Sequence, residues 1–273
     1  MNYRHAFHAG NFADLVKHAG LLQLLKVLTA TGAPLRVIDT HAGRGLYDLR
    51  GPEARKSGEA EAGIMRLMAD PAAPAGFAPL IAAVRSLNGT GPVARYPGSP
   101  LLISGALRPT DSYAAYELRA DEAAALREVL KGRKNVLARS GDGYEAAQSG
   151  APPSGRVLMV IDPPFERADE YGRIIATAAA VRRRNRAAML FVWLPLKDLA
   201  TFDAFLGEFE DAIHGPALVF ETRLRPLTDP MKMNGCALVL VGAPEEVADP
   251  IEQICRWTAV TLGEAGEARI YGA

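Results

Sequence analysis

The chain has 273 residues, 49% of them hydrophobic, and its 31 basic and 31 acidic side chains leave no net charge. That is enough for one domain with a large core, and no apolar run approaches the roughly 20 residues of a membrane span. Cys236 and Cys255 lie in apolar segments, too few for a cysteine zinc site and in keeping with a reduced, cytoplasmic protein; the opening residues lack a signal peptide's apolar stretch.

The amino end, residues 3–14, combines Tyr3, Arg4, His5, Phe7, His8 and Phe12, with Lys17 and His18 a turn later. These histidines and His41 lack a metal-ligand spacing, so no metal is expected. The segment reads better as a grip for RNA or a cofactor, with aromatic rings for stacking and Arg4 and Lys17 for phosphate. A leucine-rich helix follows over 13–30 and a strand over 35–39. The strand runs into Asp39-Thr40-His41-Ala42-Gly43-Arg44-Gly45, where glycines let a ligand approach the backbone. Residues 46–96 read as an insertion with helices over 59–68 and 77–87, placed to serve as a lid or substrate-binding subdomain. In Tyr96-Pro97-Gly98-Ser99-Pro100, Ser99 suits an N-cap and Pro100 the first helical position. An amide-rich helix start there can face the carboxylate of an amino-acid moiety.

Strands are expected over 113–118, 135–138, 157–161 and 189–194, with helices over 121–131, 168–184 and 199–209. Strands 218–223 and 236–241 read as a closing antiparallel pair. This alternation predicts one α/β domain over residues 1–273, with a mostly parallel, Rossmann-like sheet, an antiparallel last strand and a small inserted helical subdomain. Such sheets bind ligands at the carboxyl ends of their strands. Glu117 ends the second strand and can accept hydrogen bonds from both hydroxyls of a ribose. Ser140-Gly141-Asp142-Gly143 follows the third and suits an adenine edge, with a carboxylate for the amino group and an amide for a ring nitrogen. After the fourth stands Asp162-Pro163-Pro164-Phe165. Asp162 and a following main-chain carbonyl can accept the two hydrogens of an exocyclic amino group, and Phe165 can stack on the base. That chemistry suits methylation of an amino nitrogen of adenine or cytosine. Arg182, Arg183, Arg184 and Arg186 form a basic cluster that is either a phosphate contact or a helix end.

Together these residues resemble the RlmJ family, adenine-N6 methyltransferases of 23S ribosomal RNA. The likeness covers nearly the whole chain. It is carried by Tyr-Arg-His-x-Phe-His-Ala-Gly-Asn at the start, Asp-Thr-His-Ala-Gly, Tyr-Pro-Gly-Ser-Pro, the Asp-Gly pair and Asp-Pro-Pro. It implies a methyltransferase fold with S-adenosylmethionine as donor and S-adenosylhomocysteine as product. It further implies cofactor contacts at His18, His41, Ser99, Glu117, Asp142 and Gly143, a catalytic Asp162, and Tyr3 against the RNA. The expected partner is 23S RNA before or early in subunit assembly, met by a monomer without membrane or metal. Phe165 stands where relatives often have tyrosine, which keeps stacking and removes a hydroxyl. Two rival readings are a DNA adenine or cytosine amino methyltransferase and a non-catalytic RNA-binding assembly factor on the same scaffold. A nicotinamide dehydrogenase is disfavoured, since no early G-x-G-x-x-G occurs.

Overall fold

A computed structural model of the chain describes residues 4–229 and 231–272; Tyr3 lies outside them. After a short turn at His5–Phe7, helix α1 spans Phe12–Ala30, capped by the Asn11 side chain accepting from the Asp14 amide. It is buried on almost every side, as an apolar helix must be when elements pack all round it. Strand β1 (Leu35–Asp39) follows. The stretch expected as an insertion opens with β2 (Leu46–Asp48) and closes with β3 (Arg95–Pro97), paired antiparallel as a two-stranded ribbon that the sequence did not announce. Between them lie α2 (Pro52–Ser57), a π-helical turn at Glu61–Met65, α3 (Arg66–Ala69) and α4 (Ala78–Asn88).

The chain continues through α5 (Ser99–Ala106), β4 (Ser112–Glu117), α6 (Ala120–Val129), β5 (Val136–Ser140), α7 (Gly143–Gly150), β6 (Arg156–Ile161) and α8 (Glu170–Arg184). It ends with β7 (Met189–Leu196), α9 (Leu199–Ile213), β8 (Ala217–Arg223), β9 (Gly235–Val241), α10 (Ala248–Leu262) and β10 (Glu267–Gly272). The eight-stranded sheet has the order β10-β8-β9-β7-β6-β1-β4-β5. Strands β7, β6, β1, β4 and β5 are mutually parallel, and β9 runs antiparallel to both β7 and β8. The expected antiparallel end is therefore present, but β10 adds a further antiparallel edge strand beside β8. Helix α10 also lies beyond the sequence expectation. Its Pro250 falls in the first helical turn, where a missing amide costs nothing.

The sheet divides two cores by simple alternation. On β6, Leu158 and Val160 face the side covered by α1 and α10, while Val157, Met159 and Ile161 face the side covered by α8 and α9. Each such side chain contributes about 1.5–3 kcal/mol of burial. This double cover makes the central strands rigid and fixes the loops at their carboxyl ends. The chain leaves β1 for β4 and β5 on one side and returns to β6 and β7 on the other. That reversal opens a crevice between the β1 and β6 loops.

Candidate active site

A cleft of about 980 Å³ runs along the carboxyl edge of the sheet, from Gly43, Glu117 and Gly143 past Asp162 and Phe165 to Trp193 and Lys197. The β1 end is organised by Asp39, which is fully buried. One of its oxygens accepts from the Ser99 hydroxyl and the Tyr113 hydroxyl, each at 3.0 Å, and the other from the His41 amide at 3.3 Å. Burial pushes its carboxyl up to about 6 against these bonds. The acid read as part of a cofactor loop thus works by placing its neighbours. Ser99 is correspondingly not the helix cap. Gly98 holds that position, and Ser99 is the first residue of α5. The helix start is also poorer in amides than expected. Pro100 has none, and the amides of Leu101 and Leu102 both return to the Gly98 carbonyl. Of these first-turn donors only the Ser99 amide is left for a ligand.

Glu117 stands at the end of β4, as expected. Its Oε2 accepts from the Gly43 amide at 3.0 Å and its Oε1 from the Arg119 amide at 2.8 Å. Burial raises its pKa despite them. A carboxylate offers about four acceptor sites, so two remain for neighbouring hydroxyls. Gly43 has φ +65°, and a Cβ there would meet the Tyr47 hydroxyl at 2.6 Å. Asp142 caps α7, with Oδ1 accepting from the Tyr144 amide at 2.9 Å, while Oδ2 takes a bond from Arg173 at 2.6 Å. Burial pushes Asp142 up, but Arg173 outweighs it and the carboxyl stays below its usual range. Arg173 also lies over the Tyr144 ring, 4.5 Å from its centre, a placement that no local sequence signal announces. Gly143 packs so tightly on the β1 loop that a Cβ would sit 1.9 Å from the Thr40 carbonyl oxygen. Only glycine fits there.

His41 lies half-buried beside this loop, its Nδ1 2.7 Å from the Thr40 hydroxyl and its ring edge-on to Tyr144. His18 is only 1% exposed, with Nδ1 2.8 Å from the Tyr96 hydroxyl. Burial pushes it down to about 3, so it is neutral at ordinary pH. Both rings border the cleft.

Asp162 follows β6 and faces the middle of the cleft. Its Oδ2 accepts from Lys17 Nζ at 2.6 Å, whereas Oδ1 accepts no hydrogen bond among the described residues. Lys17 comes from α1 and is 6% exposed. It also contacts Asp14 at 2.9 Å, and Asp14 accepts in turn from His5 at 3.0 Å and the Gly10 amide at 2.9 Å. Burial pushes Asp14 up, but His5, Lys17 and His18 together hold its carboxyl well below the usual range. The phosphate role expected for Lys17 is therefore overturned: its ammonium is enclosed between two carboxylates. The sequence signal available was Asp14 and Lys17 three apart on a buried helix face, a spacing that brings side chains together. Phe165 adopts φ +50°, a conformation uncommon for a bulky residue. Its ring lies 5.2 Å from Tyr171 and 6.0 Å from Trp193, extending an aromatic wall beside Asp162.

The inserted segment reaches this site through Glu59, which contacts His8 at 2.9 Å and Asn11 at 2.9 Å. The basic cluster does not reach it. Arg182, Arg183 and Arg184 end α8, which leads into the start of β7 and so lies at the opposite edge. There Arg182 donates to the carbonyls of Arg186 and Ala188. Among the described residues, no group of three or more His, Cys, Asp or Glu side chains is arranged to hold a metal ion, and no helix is long and apolar enough to cross a membrane.

A Rossmann-like sheet with a carboxylate at the end of β4 and Asp-Pro-Pro after β6 is the framework of a methyltransferase. The family of "Ribosomal RNA large subunit methyltransferase D, RlmJ" matches residues 32–271, and the chain belongs to it. It is 28% identical to ribosomal RNA large subunit methyltransferase J of Escherichia coli, over 97% of this chain and 95% of that protein. It is 29% identical to the Haemophilus influenzae protein of the same name, with equal coverage. A Legionella pneumophila crystal structure, 29% identical, superposes with a TM-score of 0.87 over 97% of this chain and 98% of that one.

Proposed function

We propose that the protein transfers a methyl group from S-adenosylmethionine to the N6 amino group of an adenine in 23S ribosomal RNA. The observation that carries this reading is Asp162: a carboxylate at the switch point with one oxygen tied to Lys17 and the other open to the cleft. An adenine amino group is a weak nucleophile because its lone pair is delocalised into the ring. Oδ1 of Asp162 and a main-chain carbonyl of the Asp-Pro-Pro turn accept its two hydrogens, localise the lone pair and aim it at the sulfonium methyl. Such positioning can supply roughly 7–11 kcal/mol. Asp162 then receives the released proton. Phe165, and Tyr3 at the amino end, hold the base flat after it leaves its stack, at a cost of a few kcal/mol.

The donor takes the other half of the cleft. Glu117 holds the ribose hydroxyls, Asp142 and Gly143 the adenine edge, and Ser99 with His41 and His18 the amino-acid end. The segment from 46 to 96 acts as an inserted substrate-facing subdomain, joined to the amino-terminal grip through Glu59. The protein works as a cytoplasmic monomer on RNA not yet packed into a subunit, whose folded surfaces would block the cleft. The test is transfer of labelled methyl to a protein-free hairpin of 23S RNA, to intact subunits and to duplex DNA, followed by nucleoside analysis. N6-methyladenine formed best in the hairpin supports the reading. N4-methylcytosine, or preferred modification of duplex DNA, replaces it with the DNA alternative; no transfer at all favours the assembly factor.

A further inference from the structure

The cleft lining holds eight Lys and Arg side chains, and their pairing sorts them. Lys17 contacts Asp162, Arg119 contacts Asp121, Arg167 contacts Asp169, Arg173 contacts Asp142 and Lys232 contacts Asp229. Lys197 and Arg225 have no acidic partner among the described residues, nor has Arg4 at the amino end. Nε of Arg225 is buried and makes no hydrogen bond, a deficit that structures rarely leave without a ligand or water to fill it.

Lys197 and Arg225 belong together. Side chains two apart on a strand share a face; Trp193 and Pro195 line the cleft from β7, and Lys197, the residue just past its end, lines it too. The row thus runs outward from the aromatic wall at Asp162 to an exposed ammonium. Arg225 follows β8. The two loops are clamped by fully buried Asn234: its amide donates to the Leu196 carbonyl at 2.9 Å and its side chain to the Lys197 carbonyl at 3.0 Å, while its carbonyl accepts from the Leu224 amide at 2.8 Å. Three of the acids nearby are engaged, while Glu264, whose amide donates to the Leu224 carbonyl, is exposed. Asp198 caps α9 through Thr201, Asp229 holds Lys232, and Glu166 has a partner of its own.

We propose that Lys197 and Arg225 form a phosphate-gripping pair that holds the RNA backbone beside the target nucleotide at the mouth of the cleft. This rests on the reading of the cleft as one that takes RNA, and it offers a source of RNA affinity in a chain with no net charge: the cleft's unpaired cations are few, and two of them lie on loops that Asn234 clamps.

The experiment is fluorescence anisotropy with a labelled 23S hairpin at several salt concentrations, comparing four proteins. Each phosphate contact contributes roughly 0.7–0.9 to the slope of log affinity against log salt. The Lys197→Ala/Arg225→Ala protein is expected to lose about tenfold or more in affinity and about 1.4–1.8 in slope, with S-adenosylmethionine affinity within about twofold of wild type. Lys197→Arg/Arg225→Lys should keep the wild-type slope, as should Arg183→Ala/Arg184→Ala at the opposite edge. An unchanged slope in the alanine pair, with a native thermal melt, overturns the proposal. So does an equal slope loss in the Arg183/Arg184 pair. Because the readout is binding, a wild type that grips RNA but transfers no methyl group would sink the catalytic reading and leave the grip standing.

Discussion

Glu117 and Asp162 stand at equivalent places, each at or just past the carboxyl end of a parallel strand, yet the two halves of the cleft hold them differently. Glu117 is gripped by two backbone amides, from the loops that leave β1 and β4. Asp162 is gripped by one ammonium on a flexible stem, itself shared with Asp14. The first arrangement suits a group that must present the same acceptors to a cofactor every time. The second suits a group that must exchange partners while protons move. On the proposed reading, a backbone grip on one side and a shared side-chain cation on the other divide binding from chemistry.

Breaking that division begins with the largest effect. Asp162→Asn is expected to lower the methyl-transfer rate about 10³-fold, within the 10²–10⁴ range of a lost general base, because an amide presents a donor to the amino hydrogens. Single-turnover assays read this. Lys17→Met leaves Asp14 and Asp162 facing each other without their shared cation. Breaking a buried pair from one side costs about 3–5 kcal/mol, so urea unfolding should show a loss of that order, and an unchanged midpoint would mean the cluster is dispensable. Glu117→Ala should weaken S-adenosylmethionine binding by about 1.5–3 kcal/mol, roughly 10- to 150-fold by calorimetry. Phe165→Ala should cost about 1–3 kcal/mol of RNA affinity or turnover while cofactor affinity stays put.

Per pH unit, the smallest effect is electrostatic. His18 is held neutral with its pKa pushed down to about 3 from 6.5. As pH falls below 6.5, the unfolded chain takes up a proton that the native ring refuses. Stability contributed by this group is therefore full above that pH and is lost toward pH 3, at up to about 1.4 kcal/mol per unit. Asp39, raised from 3.8 to about 6, works in the opposite sense between those values. In urea titrations across this window, His18→Gln should lose less stability per pH unit than wild type; identical slopes would contradict the assignment.

Much of this was legible in the chain because strand ends write themselves locally. Val157–Ile161 announces a buried strand, and whatever follows it must lie at the sheet's edge, so Asp162 and Phe165 could be placed without coordinates. Glu117 followed by the same logic. What could not be read are partners far apart in sequence. Lys17 and Asp162 are separated by 145 residues, and Arg173 reaches Asp142 from a helix whose polar face looks like any solvated one. Ser99 falls one position past the cap expected for it because Ser-Pro fits a first and second helical residue as well as a cap and first turn. The arginines at the end of α8 illustrate the converse: a conspicuous basic run that topology carries to the wrong edge for this site.

The most direct test sets the two carboxylates against each other: single-turnover methyl transfer to hairpin RNA at saturating S-adenosylmethionine, for wild type, Glu117→Ala and Asp162→Asn. Division of labour predicts that saturation restores Glu117→Ala to within about tenfold of wild type, an order-of-magnitude allowance for imperfect placement, and leaves Asp162→Asn about 10³-fold slower. Recovery of Asp162→Asn under saturation, or a Glu117→Ala protein that stays as slow as Asp162→Asn, would contradict it.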